Sequence, residues 1–194
     1  MKILDNILPN SLVNQLEDTM IGDSFPYFYM PGFTDPSEDG KEYKNFKSFQ
    51  GLVHGFTDLN GNSNSGFYTM VMPIVYFLEK ELDKQFKVLE CRGHMLFKDI
   101  ENKDKVGYPH IDNHGKHYVL MYYVNNSDGN TIIYNDKRDD AVTTKDVMDK
   151  NSILKTVEPK KGRMFLFDGD HWHSGTCPTQ NNKRIFINFN LVEI

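Results

Sequence analysis

A mainly β fold with flanking helices, an α+β balance around a double-sheet sandwich or jelly roll, follows from three features of the sequence. Some eight short stretches, most of them after residue 90, are dense in β-formers and bounded by turn residues. Helical spacing is confined to two segments before that point. The aromatic share is 13%, with 14 Phe and 10 Tyr, which suits a β-rich interior. At 194 residues one domain is expected (1–194), with residues 1–90 as helical cover and loops and residues 91–194 as the jelly-roll core.

Each element has its own signal. Pro9-Asn10-Ser11 predicts the capped start of a helix with Leu12, Leu16 and Met20 on one side, stopped by Gly22. Residues 32–66 are rich in Gly, Ser, Asn, Asp and Lys and predict a long loop with one strand around Ser48 to Phe56. Met70, Ile74, Phe77, Leu78 and Leu82 recur at helical spacing and predict a second helix from Phe67 to Lys84. Strands are expected over Cys91 to Lys98, Tyr108 to Asp112, His117 to Val124, Asn130 to Tyr134, Ser152 to Val157, Arg163 to Phe167 and Lys183 to Val192. The stretch HYVLMYYV is too apolar for an exposed strand. Residues 135–151 are polar and predict a loop or short helix.

Composition excludes several classes. The formal charge is −5 and the pI about 5.8, with no basic stripe, which argues against long nucleic acid as a partner. Cys91 and Cys177 cannot build a disulfide framework and form no CxxC pair; they predict reduced packing residues in a cytoplasmic protein. The N-terminus meets Asp5 and Asn6 before any long apolar stretch, unlike a signal peptide. The apolar run Tyr68 to Leu78 is too short to span a bilayer and contains Pro73, so no membrane partner is expected.

His110-Ile-Asp112, His173 and Arg184 carry the chemistry. Positions i and i+2 of a strand point the same way, so His110 and Asp112 can reach one ion together. Two imidazoles and one carboxylate on one face of a metal leave the other face open, as in non-haem Fe(II) sites and unlike a closed four-ligand zinc site. His173 follows the strand Met164 to Phe167 and a turn, which delivers its side chain to the mouth of a sandwich. In RIFINFNLV, Arg184, Phe186, Asn188 and Asn190 alternate with Ile185, Ile187, Phe189 and Leu191. The second set reads as core and the first as a cavity wall. A guanidinium there can hold a carboxylate by a two-point pair. His171 is the rival of His173 as a ligand. His54, His94, His114 and His117 read as surface groups or as groups behind the ligands, with His114 and His117 near the mouth. Asp168 and Asp170 read as turn residues able to orient a ligating histidine. Tyr108 is placed to face the cleft.

The segments GYPHIDN, HYVLMYYVNNSDGNTIIY and VEPKKGRMFLFDGDHWHSGTCPTQNNKRIFINFN follow one order. It runs H-x-D, an apolar strand with paired tyrosines, a Gly-containing turn, a strand ending in Phe, Trp-His, then Arg. In this the chain resembles the Fe(II)- and 2-oxoglutarate-dependent dioxygenases, and among them the prolyl hydroxylase branch, over about residues 91–194. The resemblance implies a double-stranded β-helix (jelly roll) core with the N-terminal helices packed on one sheet. It implies that His110, Asp112 and His173 hold Fe(II), with His173 preferred over His171 because it follows the aromatic Trp172. It implies that Arg184 pairs with the distal carboxylate of 2-oxoglutarate and that Tyr123 donates its hydroxyl to that same carboxylate. Dioxygen is the other co-substrate and ascorbate the accompanying reductant. The expected substrate is a prolyl residue in a peptide or protein. The alternatives are the same chemistry on a free amino acid, small molecule or nucleobase, and a catalytically silent jelly-roll metal-binding module. Gly129-Asn130 stands where the family often has Gly-Gly, which bears on the rim of the pocket. The loops 32–66 and 135–151 are expected to form lids over an extended substrate.

Overall fold

The computed structural model describes residues 1–34 and 43–194, so residues 35–42 of the expected 32–66 loop lie outside the described part. An inner strand of the larger sheet, β7 (Tyr118–Tyr123), explains why YVLMYYV is apolar at every position. Val119, Met121 and Tyr123 point to one side and pack with Ile133, Val157, Phe165 and Phe167. Leu120, Tyr122 and Val124 point to the other and join the cluster beneath the helices. A strand covered on both faces has no solvent side to make polar.

Around β7 lies an antiparallel seven-stranded sheet in the order β1-β10-β7-β12-β5-β4-β2. Its other members are β1 (Lys2–Leu4), β2 (Phe28–Met30), β4 (Gly51–Gly55), β5 (Phe86–Phe97), β10 (Met164–Asp168) and β12 (Lys183–Glu193). The facing three-stranded sheet has the order β11-β8-β9, built from β8 (Thr131–Lys137), β9 (Ile153–Val157) and β11 (His171–Gly175). A short parallel pair, β3 (Phe46–Lys47) and β6 (Val106–Gly107), lies beside it. The fold is thus mainly β, with two sheets in jelly-roll arrangement, as expected.

The helices cover the outer face of the large sheet. α1 (Asn10–Ile21) buries Leu16 and Met20, and α2 (Tyr68–Leu82) buries Val71, Ile74, Val75 and Leu78. Both pack with Ile185, Ile187, Phe189 and Leu191 of β12. The expected side-chain cap on α1 is absent: Pro9 occupies the cap position and its carbonyl accepts from Leu12 and Val13. A missing cap costs about 0.5–2 kcal/mol. Burial of Leu16 and Met20, at roughly 1.5–3 kcal/mol each, outweighs it. α2 stops two residues earlier than predicted, because Asp83 takes a left-handed conformation (φ 52, ψ 50). The polar stretch 135–151 begins as the end of β8 and closes as a helix, α3 (Thr144–Lys150), with a reciprocal capping box between Thr143 and Asp146.

Several strands differ from the sequence-based expectation. The strand expected over Tyr108 to Asp112 does not form: β6 ends at Gly107, and His110 makes only an isolated bridge to His173. β1 pairs with β10 although only three residues long. β11 forms where a turn was expected after Phe167; His, Ser and Gly are poor strand formers, and pairing with β8 holds them extended. β5 starts at Phe86, and the register slips between Asn190 and Leu191, whose partners are Glu90 and Val88. That bulge lets Phe86 and Val88 join the helix-side core while Glu90, Arg92 and His94 face the other way.

Candidate active site

His110 and His173 face each other across an isolated antiparallel bridge. The backbone N–H of His110 donates to the His173 carbonyl at 2.9 Å, and the reverse bond is 3.1 Å. Each ring is then fixed from behind. The His110 Nδ1 lies 3.1 Å from the Tyr108 carbonyl and the His173 Nδ1 lies 3.2 Å from the His171 carbonyl. A carbonyl can only accept, so Nδ1 carries the proton and Nε2 is the free lone pair. Both Nε2 atoms point at one carboxylate oxygen, Asp112 Oδ1, at 3.5 Å and 3.6 Å. The three side chains bring one ligand atom each to within 4.8 Å of one another. The other oxygen, Asp112 Oδ2, accepts from Asn188 Nδ2 at 2.8 Å.

Electrostatics agree with the geometry. Burial opposes the charged form of Asp112, but the His173 and His110 imidazoles hold its carboxyl well below the usual carboxylate range. Burial pushes His110 down, yet the Asp112 carboxylate, with help from the Tyr108 carbonyl, raises it above an ordinary histidine. His94 is pushed to about 3, by burial first and by the Arg92 charge second, so it is neutral. Its ring stacks on Phe186 at 4.8 Å.

His171 is not part of the cluster. Its Nδ1 lies 3.1 Å from the Tyr134 carbonyl, and the register of β11 on β8 breaks between His171 and His173. The other sequence-flagged groups fall into place. Tyr108 lines the cavity and is 3% exposed. His54 is buried rather than on the surface, bonded to the Pro26 carbonyl and Ser65. His117 is buried as well, and His114 is exposed. Asp168 and Asp170 do not reach the ligating rings; backbone carbonyls do that work, while Asp170 pairs with Arg138. Arg138 also donates to the carbonyls of Asn113, His114 and Gly115, which ties the loop after Asp112 to the β10–β11 turn.

Arg184 lies in the same cavity, only 2% exposed. Its Nη1 donates to the carbonyls of Asn130 (3.0 Å) and Thr176 (3.1 Å), and its Nη2 to Thr131 Oγ1 (2.7 Å). Every one of these acceptors is neutral, and the buried Nε has no partner. Burial lowers the Arg184 pKa, yet no carboxylate among the described residues pairs with it. A buried, unpaired guanidinium calls for an anion. The backbone comes unusually close here: a Cβ on Gly175 would sit 2.6 Å from Nη1.

Tyr123 departs from expectation. It is fully buried, does not line the cavity, and gives its hydroxyl to Thr131 Oγ1 at 2.8 Å. Thr131 does line the cavity. Its oxygen accepts from both Tyr123 and Arg184, so its own proton is left to donate inward. Thr131, Glu90 and Arg92 were not singled out from sequence. An inward Thr beside a predicted Arg strand was the available signal for the first; the bulge that orients the other two leaves none.

The sequence matches no family model and no curated protein. Solved structures do match. A 2OG-Fe(II) oxygenase family oxidoreductase from Burkholderia pseudomallei aligns at TM-score 0.63 and 11% identity, covering 97% of this chain and 83% of that one. A prolyl hydroxylase from Trichoplax adhaerens, in complex with a hypoxia inducible factor peptide fragment, aligns at 0.58 and 12%, covering 97% and 82%. HygX from Streptomyces hygroscopicus, with nickel and 2-oxoglutarate bound, aligns at 0.59 and 11%, covering 97% and 81%. The chain has the jelly-roll fold of the 2-oxoglutarate–Fe(II) oxygenases.

Proposed function

We propose that this protein is an Fe(II)- and 2-oxoglutarate-dependent dioxygenase that hydroxylates an unactivated C–H bond. The observation that carries the proposal is one cavity holding both a His-Asp-His cluster and a buried cation without a counter-ion. Two imidazole nitrogens and a carboxylate oxygen, all with their non-ligating atoms already bonded, suit Fe(II). The orphaned Nε of Arg184 and the inward proton of Thr131 suit the far carboxylate of a keto diacid. Fe(II) with 2-oxoglutarate supplies the oxidising chemistry: dioxygen is split between succinate, formed with loss of carbon dioxide, and the hydroxyl group that replaces a substrate hydrogen.

The chain's own residues do the rest. His110, Asp112 and His173 hold the metal, and Asn188 keeps Asp112 turned so that Oδ1 faces the two imidazoles. Arg184 and Thr131 anchor the co-substrate, and Tyr123 and the Asn130 and Thr176 carbonyls position them. Phe186, stacked between His94 and the Arg184 guanidinium (4.7 Å from its ring centroid), walls the anchor from water. No general base is needed to remove the hydrogen.

The finer reading is a prolyl residue in a peptide or protein. It is supported by the resemblance of residues 91–194 and by prolyl hydroxylases among the structural neighbours. A second reading, a free amino acid, is favoured by Glu90, Arg92, Asn188 and Asn190, which line the same cavity. Ascorbate fits either as the reductant that keeps iron ferrous. Two buried free cysteines support a reducing cytoplasm, and no helix among the described residues is long and apolar enough to cross a membrane.

The test is succinate release with Fe(II), 2-oxoglutarate and oxygen, with and without a proline-rich peptide. We expect slow release without a primary substrate and none from Asp112→Ala; stimulation by the peptide with a mass gain of one oxygen supports the prolyl reading, and stimulation by a free amino acid supports the second. Full turnover by Asp112→Ala refutes the ligand assignment, and metal binding without any succinate favours a silent binding module.

A further inference from the structure

Past the metal cluster the cavity wall changes character. The inward positions of β12 after Phe186 are Asn188 and Asn190, and directly across on β5 stand Arg92 and Glu90. All four line the same cavity as the ligand cluster. Asn188 has a fixed orientation, because only its Nδ2 can donate to the Asp112 carboxylate. Its Oδ1 therefore faces away from Asp112, and it is buried with no donor. Asn190 is 3% exposed and carries a second buried Oδ1 without a partner. A buried acceptor left unmade costs about 1–3 kcal/mol. Two on one wall mark a place where a ligand brings hydrogen-bond donors. Beside them Glu90 and Arg92, paired with each other, set a negative and a positive group next to one another.

The occupant is constrained by this chemistry. A prolyl nitrogen inside a peptide has no N–H to give. A free amino acid brings a full ammonium and a carboxylate a few ångströms apart. The cavity volume, about 280 Å³, must also take the co-substrate. That is just below the ~300–1,000 Å³ range for ligand sites and suits a small second molecule.

We propose that this end of the cavity binds the head group of a free amino acid. The ammonium lies against Asn188, Asn190 and Glu90, the carboxylate against Arg92, and the side chain extends toward the metal cluster. This rests on the oxygenase reading for the reaction that follows, but the binding itself does not.

The experiment is calorimetric titration of the Fe(II)- and 2-oxoglutarate-loaded protein under anaerobic conditions. The probes are the twenty free L-amino acids, their N-acetyl derivatives and a proline-rich peptide. The expected result is binding of at least one free amino acid, weakened at least tenfold by N-acetylation. Glu90→Gln and Asn190→Ala should each weaken it at least fivefold, with the affinity for 2-oxoglutarate as the folding control. The inference is overturned if no free amino acid binds, if the N-acetyl form binds as well, or if only the peptide binds. Aerobic succinate release, measured separately, tests the oxygenase reading: amino-acid binding without succinate sinks that reading and leaves the head-group site standing.

Discussion

Replacing Arg184 by Met separates the anchoring of the co-substrate from the stability of the fold. Methionine keeps most of the length and apolar stem but removes the charge and all donors. The structure sets the size of both effects. An anion at the free edge of the guanidinium gains charge-assisted hydrogen bonds worth roughly 1.5–3 kcal/mol each. Two of them at the lower bound amount to about 3 kcal/mol, or a loss of about 100-fold or more in 2-oxoglutarate affinity. The cost to the unliganded fold is much smaller. The Asn130 carbonyl keeps its bond from the Thr176 N–H (2.9 Å), and Thr131 Oγ1 keeps its bond from Tyr123. Thr176 O loses Arg184. Removing a buried cation with no counter-ion works in the opposite direction. A net change within about 1 kcal/mol moves the melting temperature of a chain this size by roughly 2–4 °C. The assay is thermal melting and calorimetry with Mn(II) in place of iron, titrated with 2-oxoglutarate. Parent and Arg184→Met should melt close together without ligand, bind metal alike, and diverge as 2-oxoglutarate is added. A variant that still binds 2-oxoglutarate within threefold of the parent would refute the anchor. A variant that loses metal and keeps the keto acid would show that Arg184 serves the cluster instead.

Thr131→Val keeps shape but removes the oxygen shared by Tyr123 and Arg184; a loss of about 1–3 kcal/mol in co-substrate affinity is expected, read as a raised KM for 2-oxoglutarate with metal affinity unchanged. Gly175→Ala puts a methyl 2.6 Å from Arg184 Nη1, so the guanidinium must shift; 2-oxoglutarate affinity should fall at least tenfold, about 1.4 kcal/mol, while the far-ultraviolet spectrum stays the same. Asp128 is partly buried, which opposes its charge, but its carboxylate accepts from the backbone of Thr179, Gln180 and Asn181 and from the Thr179 hydroxyl, and these bonds hold it well below the usual range. A depressed folded-state pKa gives stability that is present above the unfolded value, about 3.9, and is lost as pH falls below it. Asp128→Asn should therefore lower the melting temperature at pH 7 and narrow its gap from the parent as pH drops below 4; a gap that stays constant with pH would contradict this.

Much of the site was legible because strand periodicity is strict. The alternation after Arg184 fixes a face without any knowledge of the partner strands; His110 and Asp112 come together as expected, although the strand expected to carry them is reduced to an isolated bridge at His110. Double coverage of β7 was legible in the same way, from seven apolar positions in a row. What escaped depends on long-range pairing. His173 sits in a strand that its own neighbours do not favour; the edges of β8 and of His110 impose it. The bulge at Glu90 exists because β12 pairs there, and no local pattern in FKVLECRGH announces it. Tyr123 was read as an anchor from the resemblance, yet Thr131 comes between it and the cavity, a relation that needs β8 placed against β7 and β12. The Asp168 and Asp170 carboxylates lost their expected role to backbone carbonyls, which every residue carries and which sequence therefore cannot flag.

The order of side chains along β12 ties these parts into one device. At about 3.4 Å per residue, inward positions recur roughly every 7 Å. On the proposed reading Arg184 takes the far carboxylate; Phe186 is the next step, Asn188 bonds the Asp112 carboxylate, and Asn190 begins the polar end. From Arg184 to Asn188 the strand rises about 14 Å, so the guanidinium and the cluster stand at opposite ends of a stretch of cavity wall suited to one extended small molecule. The opposite face of the same strand, Ile185, Ile187, Phe189 and Leu191, is fully buried under the helices. A slip of one residue would turn that apolar row into the cavity and the arginine into the core, so the packing that stabilises the fold also sets the spacing of the site. The helices of the first 90 residues are therefore more than a cover: by burying one face of β12 they hold the other in register with the His-Asp-His cluster.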